Sequence, residues 1–169
     1  LTFTDRAYIN LAIKDNDEIV LAGYFKGVAD FNPGAANFQL NANTGRCFLL
    51  RLSSSGNFID AKNLGSGGDV RAQDLTIGEN NSIILSGYFL NFTTDFDPSA
   101  SSNNLGCAGF DDVFILKLDS ALNFTWVKSI GGTNSEYPTR IGTDKFNNVI
   151  VTGYFTSPSI NLDPNGSVS

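Results

Sequence analysis

Apolar positions cluster in short runs separated by polar, glycine-bearing stretches. "SIILSGYFL" (82–90) is β-branched and aromatic and follows the turn-like "GENN". That pattern predicts a strand entered from a tight turn. Its apolar residues fall on both faces, as in a strand covered on two sides. "TTDFDP" (93–98) alternates briefly and is stopped by Pro98, predicting a short strand. Residues 99–111 are rich in Ser, Asn and Gly and read as a loop. "DVFILKLDS" (112–120) and "LNFTWVKSIGG" (122–132) are two further strands joined by the turn "DSAL", and "YPTRIGTDKFNN" leads onward.

The pattern then repeats. "LAGYF" (21–25), "LSGYF" (85–89) and "VTGYF" (151–155) place glycines at 23, 87 and 153, so the spacings are 64 and 66. "DFNP" (30–33) is echoed by "DFDP" (95–98) and "NLDP" (161–164). Residues 48–89 align with 114–155 without a gap, and 13 of these 42 pairs are identical. Agreement over so many spaced positions marks an internal duplication. The chain holds about two and a half units, read as 1–74 (partial), 75–140 and 141–169 (partial), all in one domain.

Each unit supplies about four short antiparallel strands. A four-stranded sheet that is apolar on both faces needs a neighbour on each face. Sheets arranged around an axis provide that, so the predicted fold class is all-β, a β-propeller with blades of four antiparallel strands. A solenoid is the alternative, for which a 66-residue unit is long. Closing a ring takes about four to eight blades. Two and a half units, with no initiator Met at Leu1, predict a fragment or processed product of a larger propeller.

Composition supports strands and turns. Apolar residues make up 41% of 169, with 14 Phe, whereas charged residues are only 17%. The net charge of −6 argues against nucleic acid as a partner. No apolar run approaches the roughly 20 residues that span a bilayer, so no membrane insertion is expected. Histidine is absent, which removes Ser-His-Asp and Cys-His catalysis. Cys47 and Cys107 are not equivalent in the repeat; an inter-blade disulfide and two separate thiols both remain open.

"NNVIVTGYF", "DFDP" and "DVFILKLDSALNFTWVKSIGG" together resemble the bacterial seven-bladed β-propeller repeat family. The resemblance covers nearly the whole chain. It implies a large secreted or cell-surface protein of Gram-negative bacteria and carries no shared catalytic residues. The function expected from it is a non-catalytic module for adhesion, scaffolding or protein and glycan binding. Its partners would be other blades or domains of the same larger protein, surface proteins or glycans. The alternative is a polysaccharide lyase or glycoside hydrolase with carboxylates in the channel, from Asp95, Asp97, Asp111 and Asp112.

Candidate ligand positions are few. Asp30 and Asn32, Asp95 and Asp97, and Asn161 and Asp163 place oxygens at i and i+2, an arrangement that could hold Ca²⁺. The competing reading is that these side chains cap their own turns. "KDNDE" (14–18) lacks the glycine of a calcium loop and reads as a hairpin turn. Arg51 and Lys117, like Lys62 and Lys128, recur in the unit and suit nearby carboxylates or a strand edge. The Tyr and Phe of each Gly-Tyr-Phe predict blade-to-blade packing. Trp126 is the lone candidate for a carbohydrate contact. Asn80, Asn91, Asn123 and Asn165 match the N-glycosylation acceptor pattern but mainly reflect Asn-rich loops. "DSA" (119–121) resembles a short bacterial O-glycosylation acceptor; an intact mass equal to the bare chain rejects that reading.

Overall fold

Alternation of apolar and turn residues builds two complete four-stranded antiparallel sheets and half of a third. The protein was analysed as a computed structural model that describes residues 9–90 and 93–163. Blade 1 comprises β1 (Ile9–Ile13), β2 (Ile19–Asp30), β3 (Gln39–Leu52) and β4 (Phe58–Leu64) in spatial order β1-β2-β3-β4. Blade 2 comprises β5 (Asp69–Ile77), β6 (Ile83–Leu90), β9 (Asp111–Leu118) and β10 (Phe124–Gly132). Its loop carries the two-residue ladder β7 (Thr94–Asp95) and β8 (Asn104–Leu105). Blade 3 is the pair β11 (Glu136–Thr143) and β12 (Val149–Phe155). The short β13 (Ile160–Asn161) pairs back onto β10 of blade 2. No helix among the described residues is long and apolar enough to cross a membrane.

The apolar runs at 82–90, 112–120 and 122–132 form strands as the sequence predicts. The fourth strand of each blade is another matter. It is the opening strand, β5 or β11, whereas "TTDFDP" gives only the two-residue β7. Sheets break at 65–68 and 133–135, so the strand that opens each of blades 2 and 3 starts before the unit boundaries read from the repeat. β5 and β11 are hard to read because half of each is polar and both are bulged, at Ala72/Asp74 and Pro138/Arg140. A bulge breaks the period-2 pattern and lets Pro138 sit in a ladder.

Between blades 1 and 2 lies the largest core. Val20, Ala22, Cys47, Leu49 and Leu64 of blade 1 pack on Leu85, Phe89, Phe96, Phe114, Leu116 and Leu118 of blade 2. A smaller core, with Ile84, Val113 and Ile115 against Ile141, joins blade 2 to blade 3. Successive residues of one strand thus serve two interfaces: Phe114 and Leu116 face blade 1, and Val113 and Ile115 face blade 3. The opposite face of blade 1 carries Phe25, Phe31, Phe48 and Leu50, with ring centroids 4.8–6.1 Å apart.

The Gly-Tyr-Phe triplet has a definite role here. A Cβ on Gly87 would lie 2.0 Å from the Arg71 carbonyl oxygen and 2.7 Å from the Phe114 ring. Phe89 turns to blade 1, and Tyr88 meets Tyr137 of blade 3 at a centroid distance of 4.8 Å. Gly23 faces Phe48 in the same register as Gly87 faces Phe114. The triplet is a packing device directed at both neighbouring blades.

Cys47 and Cys107 are both thiols and form no disulfide with each other. Cys47 is fully buried, and burial pushes its pKa up to about 12. In native protein a thiol reagent is expected to modify Cys107 and to reach Cys47 only after denaturant is added; mass-resolved labelling reads this directly. The folded chain keeps the Cys47 proton to about pH 12, while the unfolded thiol releases it near 9. Stability is therefore expected to fall as pH rises through that window, and denaturant midpoints measured across it test the expectation.

Candidate functional site

The Asp/Asn-x-Asp/Asn segments sit in the loops that follow the second strand of each blade. Their side chains build those loops. Asp30 Oδ1 accepts from the Asn32 and Phe38 amides at 3.0 and 2.9 Å, and Asn32 Oδ1 accepts from the Gly34 amide. Asp95 Oδ1 accepts from the Asp97 and Asn103 amides at 3.0 and 2.8 Å. Asp97 accepts from the Ser99 amide and the Asn103 side chain. Asn161 Oδ1 accepts from the Asp163 amide. The repeating geometry is an Asx turn. The Phe38 and Asn32 amides hold the Asp30 carboxyl below the usual range. Burial works against ionisation of Asp97, but hydrogen bonds from Ser99 and Asn103 keep it low as well.

Among the described residues, no group of three or more His, Cys, Asp or Glu side chains is placed to hold a metal ion. The oxygens considered for Ca²⁺ (Asp30, Asn32, Asp95, Asp97, Asn161) serve backbone donors, and Asp163 supplies one such donor. Ca²⁺ takes about 6–8 oxygens, whereas each turn offers only a few. Addition of calcium or of EDTA is expected to shift the thermal midpoint by less than about 1 °C; a saturable calcium-dependent rise would count against this assignment.

These loops do have a task. Ser66, just past blade 1, exchanges two 2.9 Å backbone hydrogen bonds with Asp95 of blade 2. One unit later, Gly131 and Gly132 of blade 2 pair with Asn161 and Ile160. The Asx-turn loops of blades 2 and 3 thus clasp the end of the preceding blade. Further ties link the hairpins. Lys14 Nζ and Arg51 Nη1 both donate to the Ser120 carbonyl at 2.8 Å, and the Ile141 amide donates to Asp74 Oδ2 at 2.9 Å.

The carboxylates of the enzymatic reading are used structurally. Asp111 accepts from Ser135 Oγ at 2.9 Å and from the Tyr137 hydroxyl at 2.6 Å, a bond that raises the Tyr137 pKa. Asp112 accepts from the Ala108 and Gly109 amides. Burial raises the Asp112 pKa, and the charge of Glu136 adds to the rise. Glu136, which sequence reasoning missed, is buried and takes the Gly132 amide and the Ser157 hydroxyl. Trp126 is half-buried on the blade 2–blade 3 core. It faces Lys117 where blade 1 has Asp60 facing Arg51 in a two-point ion pair at 2.8 and 2.9 Å. That placement makes it a packing residue on the face turned to blade 3. Of the glycosylation patterns, Asn80 and Asn123 are exposed in turns; Asn91 and Asn165 lie outside the described residues.

Sequence reasoning also missed a row of rings that crosses all three blades. Arg71 lies 4.8 Å from the Tyr24 ring and 5.9 Å from the Tyr88 ring. Tyr88 then meets Tyr137, and Tyr137 meets Tyr154 at 5.3 Å. The tyrosines were visible in the repeat. Arg71 and Tyr137 hold the same place in the unit, but nothing in the sequence puts them between the tyrosines.

No family model matches the chain, and no solved structure matches it. It is similar to an uncharacterized WD repeat-containing protein, L264, of Acanthamoeba polyphaga mimivirus, at 28% identity over 124 residues. The match takes in 66% of this chain, which spans only 9% of that protein. The similarity supports a β-propeller-type repeat. It is to a viral protein, and the narrower resemblance to the bacterial seven-bladed family gains nothing from it.

Proposed function

We propose that these blades are part of a non-catalytic β-propeller repeat that serves as a protein-interaction scaffold. The observation that carries this reading is the uniform structural use of its polar groups. Carboxylates that a hydrolase or lyase would need instead hold turns, clasp loops and the half-buried Tyr137. The similarity to a WD repeat-containing protein supports the repeat architecture on which such a scaffold would be built. The net charge of −6 favours a partner with a basic surface and a salt-dependent encounter.

An extracellular or cell-surface setting, with adhesion or glycan binding, is the finer form of the reading and rests on the sequence resemblance alone. Selection against a displayed protein library is expected to return saturable binders that weaken as salt rises. Incubation with a panel of polysaccharides is expected to yield no new reducing ends and no unsaturated uronate product. Turnover of any polysaccharide, lost on Asp111→Asn or Asp112→Asn, would overturn the proposal.

A further inference from the structure

One phenol in the row of rings is set apart by what its hydroxyl touches. Tyr137 donates to Asp111 Oδ2 at 2.6 Å, and Ser135 Oγ donates to the same oxygen at 2.9 Å. A bond this short to a carboxylate is charge-assisted. Asp111 is buried at 8% exposure, and none of the described ion pairs includes it. The Tyr137 ring also lies between two other phenols. Tyr88 of blade 2 meets it edge-on at 4.8 Å. Tyr154, its cross-strand partner in β12, lies at 5.3 Å with the rings tilted by 38°. Rings at these distances are in ordinary aromatic contact, and both Tyr88 and Tyr137 are half-buried.

These contacts decide where an electron leaves most easily. A phenol that loses an electron becomes a strong acid and passes its proton on at once. Asp111 stands within hydrogen-bond reach to take that proton. Its negative charge also favours a positive hole beside it. At the other end of the row the balance is reversed. The Arg71 guanidinium lies 4.8 Å from the Tyr24 ring and 5.9 Å from the Tyr88 ring, and a cation opposes a hole. Asp69 offsets part of that charge through its ion pair with Arg71. Its bond to the Tyr24 hydroxyl, at 3.4 Å, is long and weak.

We propose that Tyr137 is an oxidative modification site, at which a haem peroxidase with hydrogen peroxide forms a dityrosine bond to Tyr88 or Tyr154. Tyr137 gives one electron to the oxidant and its hydroxyl proton to Asp111 Oδ2, leaving a neutral phenoxyl radical. The neighbouring phenol is oxidised in the same way, with its proton released to water. A carbon–carbon bond then forms between ring carbons ortho to the two oxygens. Each ortho hydrogen moves to its own phenol oxygen as the rings regain aromaticity. The pair loses two electrons and two protons, which reduce one hydrogen peroxide to two waters. A bond to Tyr88 staples blade 2 to blade 3, and a bond to Tyr154 locks β11 to β12. The site stands whether or not the blades bind another protein.

The dilute full chain is treated with a haem peroxidase and hydrogen peroxide, and the product is read by dityrosine fluorescence and peptide mapping. A monomer two hydrogens lighter is expected, its link joining the peptide of Tyr137 to that of Tyr88 or Tyr154. Tyr137→Phe, which keeps the ring, is expected to lose the link, and Tyr24→Phe to retain it. Asp111→Asn is expected to slow cross-linking severalfold. It should also abolish the slowing by deuterated solvent seen in the unaltered chain, a readout that a merely structural role for Asp111 would not move. No cross-link, a link that omits Tyr137, or links between chains alone would each overturn the proposal. So would oxidation confined to Cys107 or Trp126.

Discussion

Replacing Phe114 with alanine is expected to lower the unfolding free energy by about 3–5 kcal/mol, the range for deleting a fully buried aromatic. The side chain is wholly buried between blades 1 and 2. Its ring lies 4.8 Å from Phe96, which in turn meets Phe89 edge-on at 5.4 Å. Alanine removes one end of that row of rings, and two sheets held by their own ladders cannot close the gap. Urea unfolding followed by fluorescence of Trp126, the single Trp, measures it. The midpoint should fall with the slope unchanged. Phe110→Ala is the control: at 62% exposure its effect should stay within about 0.5 kcal/mol. Equal effects at the two sites would refute the assignment of the inter-blade core.

Gly87→Val should cost about 3 kcal/mol, the upper part of the overpacking range. The added Cβ meets the Arg71 carbonyl of the adjacent strand at 2.0 Å before it meets Phe114 at 2.7 Å. A ring can turn aside, but a laddered carbonyl cannot. Trimming the ring with Phe114→Leu should therefore fail to rescue Gly87→Val. Gly142→Ala in β11, where an added Cβ meets nothing within 4 Å, should be near neutral. A rescued double variant would show that the ring, not the backbone, sets the requirement for glycine.

How far the fold could be read from sequence follows the strength of local pattern. β6, β9 and β10 are apolar runs bounded by turns, and they stand where the pattern puts them. β5 and β11 escaped because their polar residues answer to other blades: Asp74 receives the Ile141 amide, and Tyr137 reaches Asp111. Such needs are set by residues 67 or 26 positions away and leave no local trace. The Asx segments illustrate the converse. Their spacing was plain, but an oxygen suits a cation or an amide equally well, and only the loop geometry assigns Asp95 to the amides of Asp97 and Asn103.

By itself, the sequence determined the duplication, the unit length, the strand-rich class and the glycine-aromatic triplet, because each is written in local periodicity and repeats. Only the tertiary structure decided which strand opens a blade, that the Asx loops clasp the blade before them, and that Trp126 packs on the face turned to blade 3. Those outcomes depend on contacts between units, where the identity of a side chain matters less than what the neighbouring sheet sets against it.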